Sequence, residues 1–277
     1  MQIEFRLESD TGAFVMITIY DHFANPFMKE LGEVSWRIKD GYATADPFPH
    51  CCIDGLISSE LLDCVLQEFP NPAKDKTWIP LEEEGKSHRK QITKNPETTL
   101  GPYTKYLISR LSGPSFLGFL EQATGITGLM PDPYLQGAGL HQMGSGGFLE
   151  MHVDFHKSRK LNLYRRLNLL LYLNKDWKEE YLGHLELWDK NLQKRAAYLP
   201  IWNRMLICNI APLAYHGFPH PIKCPEDMTR KALAIWYYTA DLPEEVKQQY
   251  ALHKPNWINR EHLPADHDHD GEHAHGE

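Results

Sequence analysis

Two hydrophobic periods divide this chain. From residue 58 to residue 125 apolar side chains recur three and four apart. In "SSELLDCVLQEF", Leu61, Leu62, Val65, Leu66 and Phe69 share one helical face, and Ser58 or Ser59 stands where an N-cap belongs. "PYTKYLISRL" and "SFLGFLEQATG" predict two further helices, the second stopping at Gly125. A short strand in "PFPHCCIDGL" precedes them, and the polar stretch 71–97 reads as loop. Beyond Tyr134 the period falls to two. Strands are expected at 134–143, 147–155, 166–174, 183–189, 196–202, 204–210, 213–217 and 229–239, separated by clusters such as "GSGG", "NKDW" and "FPHPIKCP". So many short strands in succession suggest a jelly roll or small barrel, with the helices N-terminal to it, hence a mainly β, α+β architecture. An amphipathic helix, "PEEVKQQYALHK", closes the domain.

This pattern gives one domain over 46–255 with its core at 134–239, an N-terminal extension over 1–45 that predicts no definite element, and a His- and acid-rich tail over 256–277 expected to be disordered. The tail's His267, His269, His273 and His275 could bind a transition metal weakly, but a solubilising end is the simpler reading. No apolar run approaches a membrane span, and "MQIEFRLESD" lacks the basic and apolar regions of a secretory signal, so a cytoplasmic location is expected. Five cysteines, an odd number without Cys-x-x-Cys spacing, read as reduced thiols. A net charge of −8 argues against general nucleic-acid affinity. The sequence is silent on oligomeric state.

The candidate chemistry sits where the period has changed. In "GFLEMHVDFHK", His152 and Asp154 are two apart, and on a strand both would project from one face. Such a pair arises about once by chance in a chain with 15 His, so a third ligand is needed to give it meaning. His216 in "LAYHGFP" ends an apolar strand and could face the pair, with His220 and His156 as competitors. Two histidines and one carboxylate that leave half an octahedron open suit non-haem Fe(II) chemistry. Arg230 opens "TRKALAIWYYT" on the same strand face as Ala232, Ala234 and Trp236, where an interior guanidinium requires an anion. A dicarboxylate would serve. Asn168 and Tyr172 are likewise the polar members of one face of "RLNLLLYLN".

Taken in order, "HVDF", "RRLNLLLYLNKDW", "GHLELWD", "YHGFPHPIKCP" and "TRKALAIWYYT" resemble the Fe(II)- and 2-oxoglutarate-dependent oxygenases of the prolyl-4-hydroxylase-like superfamily. The resemblance covers about 134–239 strongly and 46–70 weakly. It implies a double-stranded β-helix core, with His152, Asp154 and His216 as iron ligands. Arg230 and Tyr172 would then bind the distal carboxylate of 2-oxoglutarate, with Asn168 also on the cosubstrate. O2 is the second cosubstrate, and ascorbate the reductant that maintains the iron. Gln142 stands where many relatives have tyrosine, and Gln142, Arg165 and Trp236 are the candidate substrate contacts. His184 replaces the second glycine of a common Gly-Gly, and the His216-to-Arg230 spacing is longer than in the best-known prolyl hydroxylases.

The implied reaction is hydroxylation of an unactivated C–H bond. The basic segment "HKSRKLNLYRR" suggests a positive rim, which favours an anionic small molecule as substrate. A peptidyl or prolyl hydroxylase is the alternative within the enzyme class. A non-catalytic, cupin-like metal-binding module is the alternative outside it.

Overall fold

A computed structural model describes residues 31–69, 100–135, 138–250 and Ile258 in full, and the backbone of 4–8, 14–18, 78–83, 87–93 and 251–252. The core is an antiparallel sheet in the order β11-β10-β13-β7-β14-β9-β12-β3. Its central strands are β7 (Gly139–His152), β9 (Leu163–Tyr172) and β14 (Arg230–Thr239). The flanking strands are β3 (His50–Asp54), β10 (Leu185–Trp188), β11 (Lys194–Tyr198), β12 (Arg204–Asn209) and β13 (Tyr215–Phe218). This is the curled jelly-roll core that the period-two region predicts, with helices at its N-terminal side.

The two strands expected at 134–143 and 147–155 are one. β7 runs unbroken through Gly144, Ser145, Gly146 and Gly147 and changes partner there. Its first half pairs with β14, Gly139 opposite Ala234 and Met143 opposite Arg230. Its second half pairs with β13, Leu149 opposite Phe218 and His152 opposite His216. Glycines that look like a strand break let the ladder bend instead, Gly146 doing so at φ +77°. One strand thereby joins a helix-covered sub-sheet to the sub-sheet of β13 and β10. A second correction concerns 71–97, read as loop: β4 (Trp78–Glu83) and β5 (Ser87–Thr93) form a hairpin there, and β5 pairs with both halves of β7. The pairing partner, distant in sequence, rather than any local apolar pattern makes this segment a strand.

The N-terminal region also holds elements that the sequence pattern left unassigned. β1 (Glu4–Glu8) and β2 (Phe14–Thr18) form a separate two-stranded sheet, and α1 covers Leu31–Tyr42. α2 (Ser59–Gln67) is capped by Ser58, whose Oγ accepts from the Leu61 amide at 3.3 Å. α3 (Pro102–Leu111) has no side-chain cap of its own. The Glu68 carboxylate reaches back to its Tyr103 and Thr104 amides at 2.8 and 2.7 Å. α4 (Pro114–Thr124) stops at Gly125 in the left-handed region, φ +73°. α5 (Glu244–Leu252) forms where the last amphipathic helix was expected. The tail beyond it, Ile258 excepted, lies outside the described residues. Among the described residues no helix is long and apolar enough to cross a membrane.

The helices lie on one face of the sheet. There Leu167, Leu169 and Leu171 of β9, Met205 and Ile207 of β12, and Leu233, Ile235 and Tyr237 of β14 pack with Leu62, Val65, Leu107, Phe116 and Leu120. Each fully buried side chain of this size contributes about 1.5–3 kcal/mol. Tyr237 also donates its hydroxyl to the Leu111 carbonyl at 2.9 Å, so its polar end costs little. The opposite face of β14 presents Arg230, Ala232, Ala234 and Trp236 to a cavity bounded across the fold by Leu185, His216 and Phe218. Two alanines leave space that leucines would fill.

Candidate metal and cosubstrate site

The sheet register brings His152 and His216 face to face. They are direct partners between β7 and β13, with ring centroids 4.5 Å apart. Gly217 is what permits this approach, since a Cβ there would lie 2.7 Å from the Glu150 carbonyl oxygen. Asp154 does not extend the strand, as an expected strand to 155 would have it. β7 ends at His152, and the following coil returns the carboxylate to the two rings: Oδ1 is 3.6 Å from His152 Nε2 and Oδ2 is 3.3 Å from His216 Nε2. His156 stacks on Tyr250, and His220 faces Glu186, so neither competitor joins the group.

The proton positions follow from the backbone. His152 Nδ1 lies 2.8 Å from the Glu150 carbonyl and His216 Nδ1 3.1 Å from that of Ala214, so each Nδ1 carries the hydrogen and donates it. Both Nε2 lone pairs then point at Asp154. Burial, and next the neighbouring His216, push the His152 pKa below the usual histidine range, which keeps the ring neutral. Burial alone would raise the Asp154 pKa. Positive charge beside it, on His216 first, lowers it below the carboxylate range, and with the rings neutral that charge has to come from a cation. Three ligand atoms within 4.8 Å of one another, one of them the buried and unpartnered Asp154 Oδ2, converge lone pairs on one point. Without a cation there, that arrangement is repulsive. Two imidazoles and one carboxylate, meeting at a cavity wall, fit a ferrous ion with open positions.

Arg230 lines the same cavity as His216. It is 7% exposed, and no carboxylate among the described residues reaches it. Its Nε donates to the Gly183 carbonyl at 2.8 Å and its Nη2 to the Tyr172 hydroxyl at 3.0 Å, while Phe218 packs 4.2 Å below the guanidinium. Gly183 takes φ +76° to offer that carbonyl, and a Cβ would meet Arg230 Cδ at 3.2 Å. Burial lowers the Arg230 pKa, yet a guanidinium remains charged. Such a cation, held by neutral groups alone, calls for an anion. The Tyr172 hydroxyl accepts from Arg230, so its own hydrogen can go to that anion. Asn174 fixes the start of β14, donating to the Pro200 and Lys231 carbonyls at 2.7 and 3.0 Å and accepting from the Lys231 amide at 2.7 Å.

The remaining candidates separate. Asn168 and Trp236 are cross-strand partners that both line the cavity, and each buries an unpartnered polar atom, Oδ1 and Nε1. Arg165 lies 4.6 Å over the Trp236 ring. Gln142 borders the cavity but pairs with Lys231, on the alternate face from Ala232, and accepts from the Thr229 hydroxyl at 3.3 Å. His141, one residue earlier, is opposite Ala232 and lines the cavity. Sequence reasoning missed His141 and also Gly183, because only the register with β14 and the Arg230 contact single them out.

Known proteins are similar to this chain in part. Residues 138–238 match the model of the 2OG-Fe(II) oxygenase superfamily. The prolyl 3-hydroxylase OGFOD1 of Mus musculus is 25% identical over 109 residues, 38% of this chain and 19% of that protein, so the chain spans about a fifth of the curated relative. A prolyl hydroxylase of Trichoplax adhaerens, solved with a peptide fragment of the hypoxia inducible factor oxygen degradation domain, is similar with a TM-score of 0.55 and 19% identity, over 82% of this chain and 95% of that one. A prolyl-4-hydroxylase from Pseudomonas putida gives a TM-score of 0.52 and 14% identity over 74% and 99%. These structural likenesses are of fold. The sequence match covers the site itself, since His152, Asp154, His216 and Arg230 all fall within 138–238. Over the stretch that holds those residues the chain is therefore similar to the 2OG-Fe(II) oxygenase superfamily.

Proposed function

We propose that the protein is an Fe(II)- and 2-oxoglutarate-dependent hydroxylase acting on a peptidyl substrate, with a prolyl residue as the first candidate. The observation that carries the reaction class is one cavity lined both by His216, whose lone pair converges with those of His152 and Asp154, and by the buried Arg230 cation, which has no carboxylate partner among the described residues. Bound iron, with 2-oxoglutarate and dioxygen, supplies the oxidising power to insert one oxygen atom into an unactivated C–H bond, the cosubstrate leaving as succinate and carbon dioxide. The protein's own groups do the rest. His152, His216 and Asp154 hold the metal, the imidazoles kept neutral and oriented by the Glu150 and Ala214 carbonyls. Arg230 grips the distal carboxylate, with Tyr172 donating its hydroxyl to it. Leu185, Phe218 and the Ala232–Ala234 wall exclude water from the space between.

The substrate reading moves away from the anionic small molecule first expected. The curated relative is a prolyl 3-hydroxylase, and the similar folds include a prolyl hydroxylase solved on a peptide. Trp236 and Asn168, with Arg165 over the Trp236 ring, stand where a peptidyl residue would enter the cavity. Their unpartnered donor and acceptor suit an amide group. A non-catalytic module leaves the Arg230 pocket without purpose. The test is anaerobic addition of Fe(II) and 2-oxoglutarate, which gives the weak visible band of a chelated keto acid, followed by aerobic screening of proline-containing peptides for a gain of one oxygen atom with matching succinate. No band from folded protein overturns the reaction class. A band, with oxygen gained only by small metabolites, overturns the peptidyl substrate.

A further inference from the structure

Between 157 and 166 the chain carries Lys157, Arg159, Lys160, Arg165 and Arg166 with no Asp or Glu among them, against a net charge of −8 overall. The structure turns this run into a surface beside the cavity. β8 (Lys157–Ser158) folds back on the start of β9, Lys157 opposite Tyr164 and Ser158 opposite Leu163. Arg165 lies over Trp236, which lines the cavity, and donates to the Tyr238 hydroxyl at 3.4 Å. That hydroxyl donates to Asp132 Oδ2 at 3.2 Å, and Asp132 Oδ1 accepts from the Tyr134 amide at 2.8 Å. Lys160 Nζ sits 3.5 Å over the Tyr134 ring. A continuous chain of contacts thus leads from the cavity wall to exposed Lys160 and Tyr134.

Two features mark this strip, where three cations over aromatic rings lie together. Several surface cations elsewhere have carboxylate partners, Lys175 with Asp63, Arg195 with Asp46, Arg204 with Asp54 and Lys247 with Asp241, whereas Lys39 lies over the exposed Trp36 ring. Among the described residues, Lys157, Lys160 and Arg165 have none within ion-pair distance and lie over the rings of Tyr164, Tyr134 and Trp236 instead. A cation backed by an aromatic face is positioned while its outer hydrogens remain available to an anion. Phe155 and Tyr134, 63% and 50% exposed, also stand on this stretch of surface, two of the three exposed large apolar side chains among the described residues. Ordered but unmatched charge beside exposed aromatic surface is the composition of a docking site.

We infer that this strip docks an acidic polypeptide segment, so that the residue oxidised in the cavity is flanked by Asp or Glu received at Arg165, Arg159 and Lys160. The inference rests on the peptidyl-substrate reading and adds the class of sequence recognised. A small anion confined to the cavity would have no use for Lys160 and Tyr134 outside it. An extended chain advances about 3.3 Å per residue and can occupy both.

The experiment uses the iron-loaded enzyme with 2-oxoglutarate and two labelled peptides sharing a central proline, one flanked by Glu and one by Gln in the same places. Binding is read by fluorescence anisotropy and oxidation by mass spectrometry. At low salt the Glu peptide binds roughly tenfold more tightly, a few-fold for each of two or three surface charges, and the advantage shrinks above about 0.15 M salt. The double variant Arg159→Glu/Lys160→Glu loses this preference and gains one for a Lys-flanked peptide, an inversion that misfolding cannot produce. Equal affinity for the Glu and Gln peptides, or a preference that survives the double reversal, overturns the inference. The two readings fail on different channels. If the peptides are oxidised equally and bind equally, the peptidyl reading stands and the acidic strip falls. If the Glu peptide binds selectively and no peptide gains oxygen, the peptidyl reading falls and takes the substrate role of the strip with it.

Discussion

β14 has two faces built from alternate residues of one strand, and they are unlike. Toward the helices, Leu233, Ile235 and Tyr237 are fully buried in the main core. Toward the cavity, Arg230, Ala232, Ala234 and Trp236 leave a hollow with polar atoms at both ends. The first face is filled, with the Tyr237 hydroxyl satisfied by a helix carbonyl. The second keeps a charge and an indole N–H that meet no anion or acceptor among the described residues. The comparison teaches that one strand can carry stability and ligand binding on separate sides. Substitutions on the two faces should therefore have different readouts.

The largest effect tests whether the hollow face ends at a metal. Asp154→Ala removes the anionic member of the converging group, so iron content and succinate production should fall at least about 1,000-fold. The metal-free variant should keep its melting temperature, because the deletion relieves converging lone pairs rather than removing packing. Wild-type turnover by iron-loaded Asp154→Ala would break the assignment and with it the purpose of the cavity.

Next comes the contrast between the faces. Leu233→Ala should cost about 2–5 kcal/mol of unfolding free energy, since it opens a hole among Leu169, Leu171 and the helices. Its 2-oxoglutarate affinity, measured below its melting range, should stay near wild type. Arg230→Lys should do the opposite. The charge remains, but the planar fork that spans Gly183 and Tyr172 is lost. Losing a charge-assisted contact of about 1.5–3 kcal/mol weakens 2-oxoglutarate binding roughly 10- to 150-fold. Calorimetric titration and thermal melting on both variants would show whether the faces separate. A large stability loss in Arg230→Lys with unchanged affinity would show that they do not.

The same alternation explains how much of the molecule was legible in its sequence. β9 and β14 announce themselves because buried residues alternate with Asn168, Tyr172 and Arg230, and a polar residue within an apolar period is visible without a structure. His216 was legible as a partner for His152 because it ends an apolar strand, but the choice over His156 and His220 came with the family resemblance. Features set by non-local pairing were not legible. β5 is a strand through its partner β7, and β7 itself is continuous because its glycines bend where they were expected to break. The position of Asp154 in coil beyond β7, and the choice of His141 rather than Gln142 opposite Ala232, are matters of one residue of register. A period of two cannot resolve a one-residue slip when glycines intervene.

The smallest effect concerns Trp236, the residue where the two uses of β14 come closest together. Its indole fills the end of the hollow, carries Arg165 on its face at 4.6 Å, and buries an Nε1–H without an acceptor. Trp236→Phe keeps an aromatic ring under Arg165 and deletes that donor. In the ligand-free protein an unsatisfied buried N–H is a cost, so its removal should offset much of the volume lost, leaving stability within about 1 kcal/mol of wild type. With substrate bound, the wild-type N–H gains a carbonyl partner that phenylalanine cannot supply. A neutral hydrogen bond worth about 0.5–1.5 kcal/mol corresponds to a rise in substrate KM of roughly two- to twelve-fold. Neither kcat nor the affinity for 2-oxoglutarate should change under the proposal that Arg230 and Tyr172 hold the cosubstrate. A drop in 2-oxoglutarate affinity equal to the rise in KM would mean that Trp236 serves the cosubstrate, and that the substrate meets another wall of the cavity.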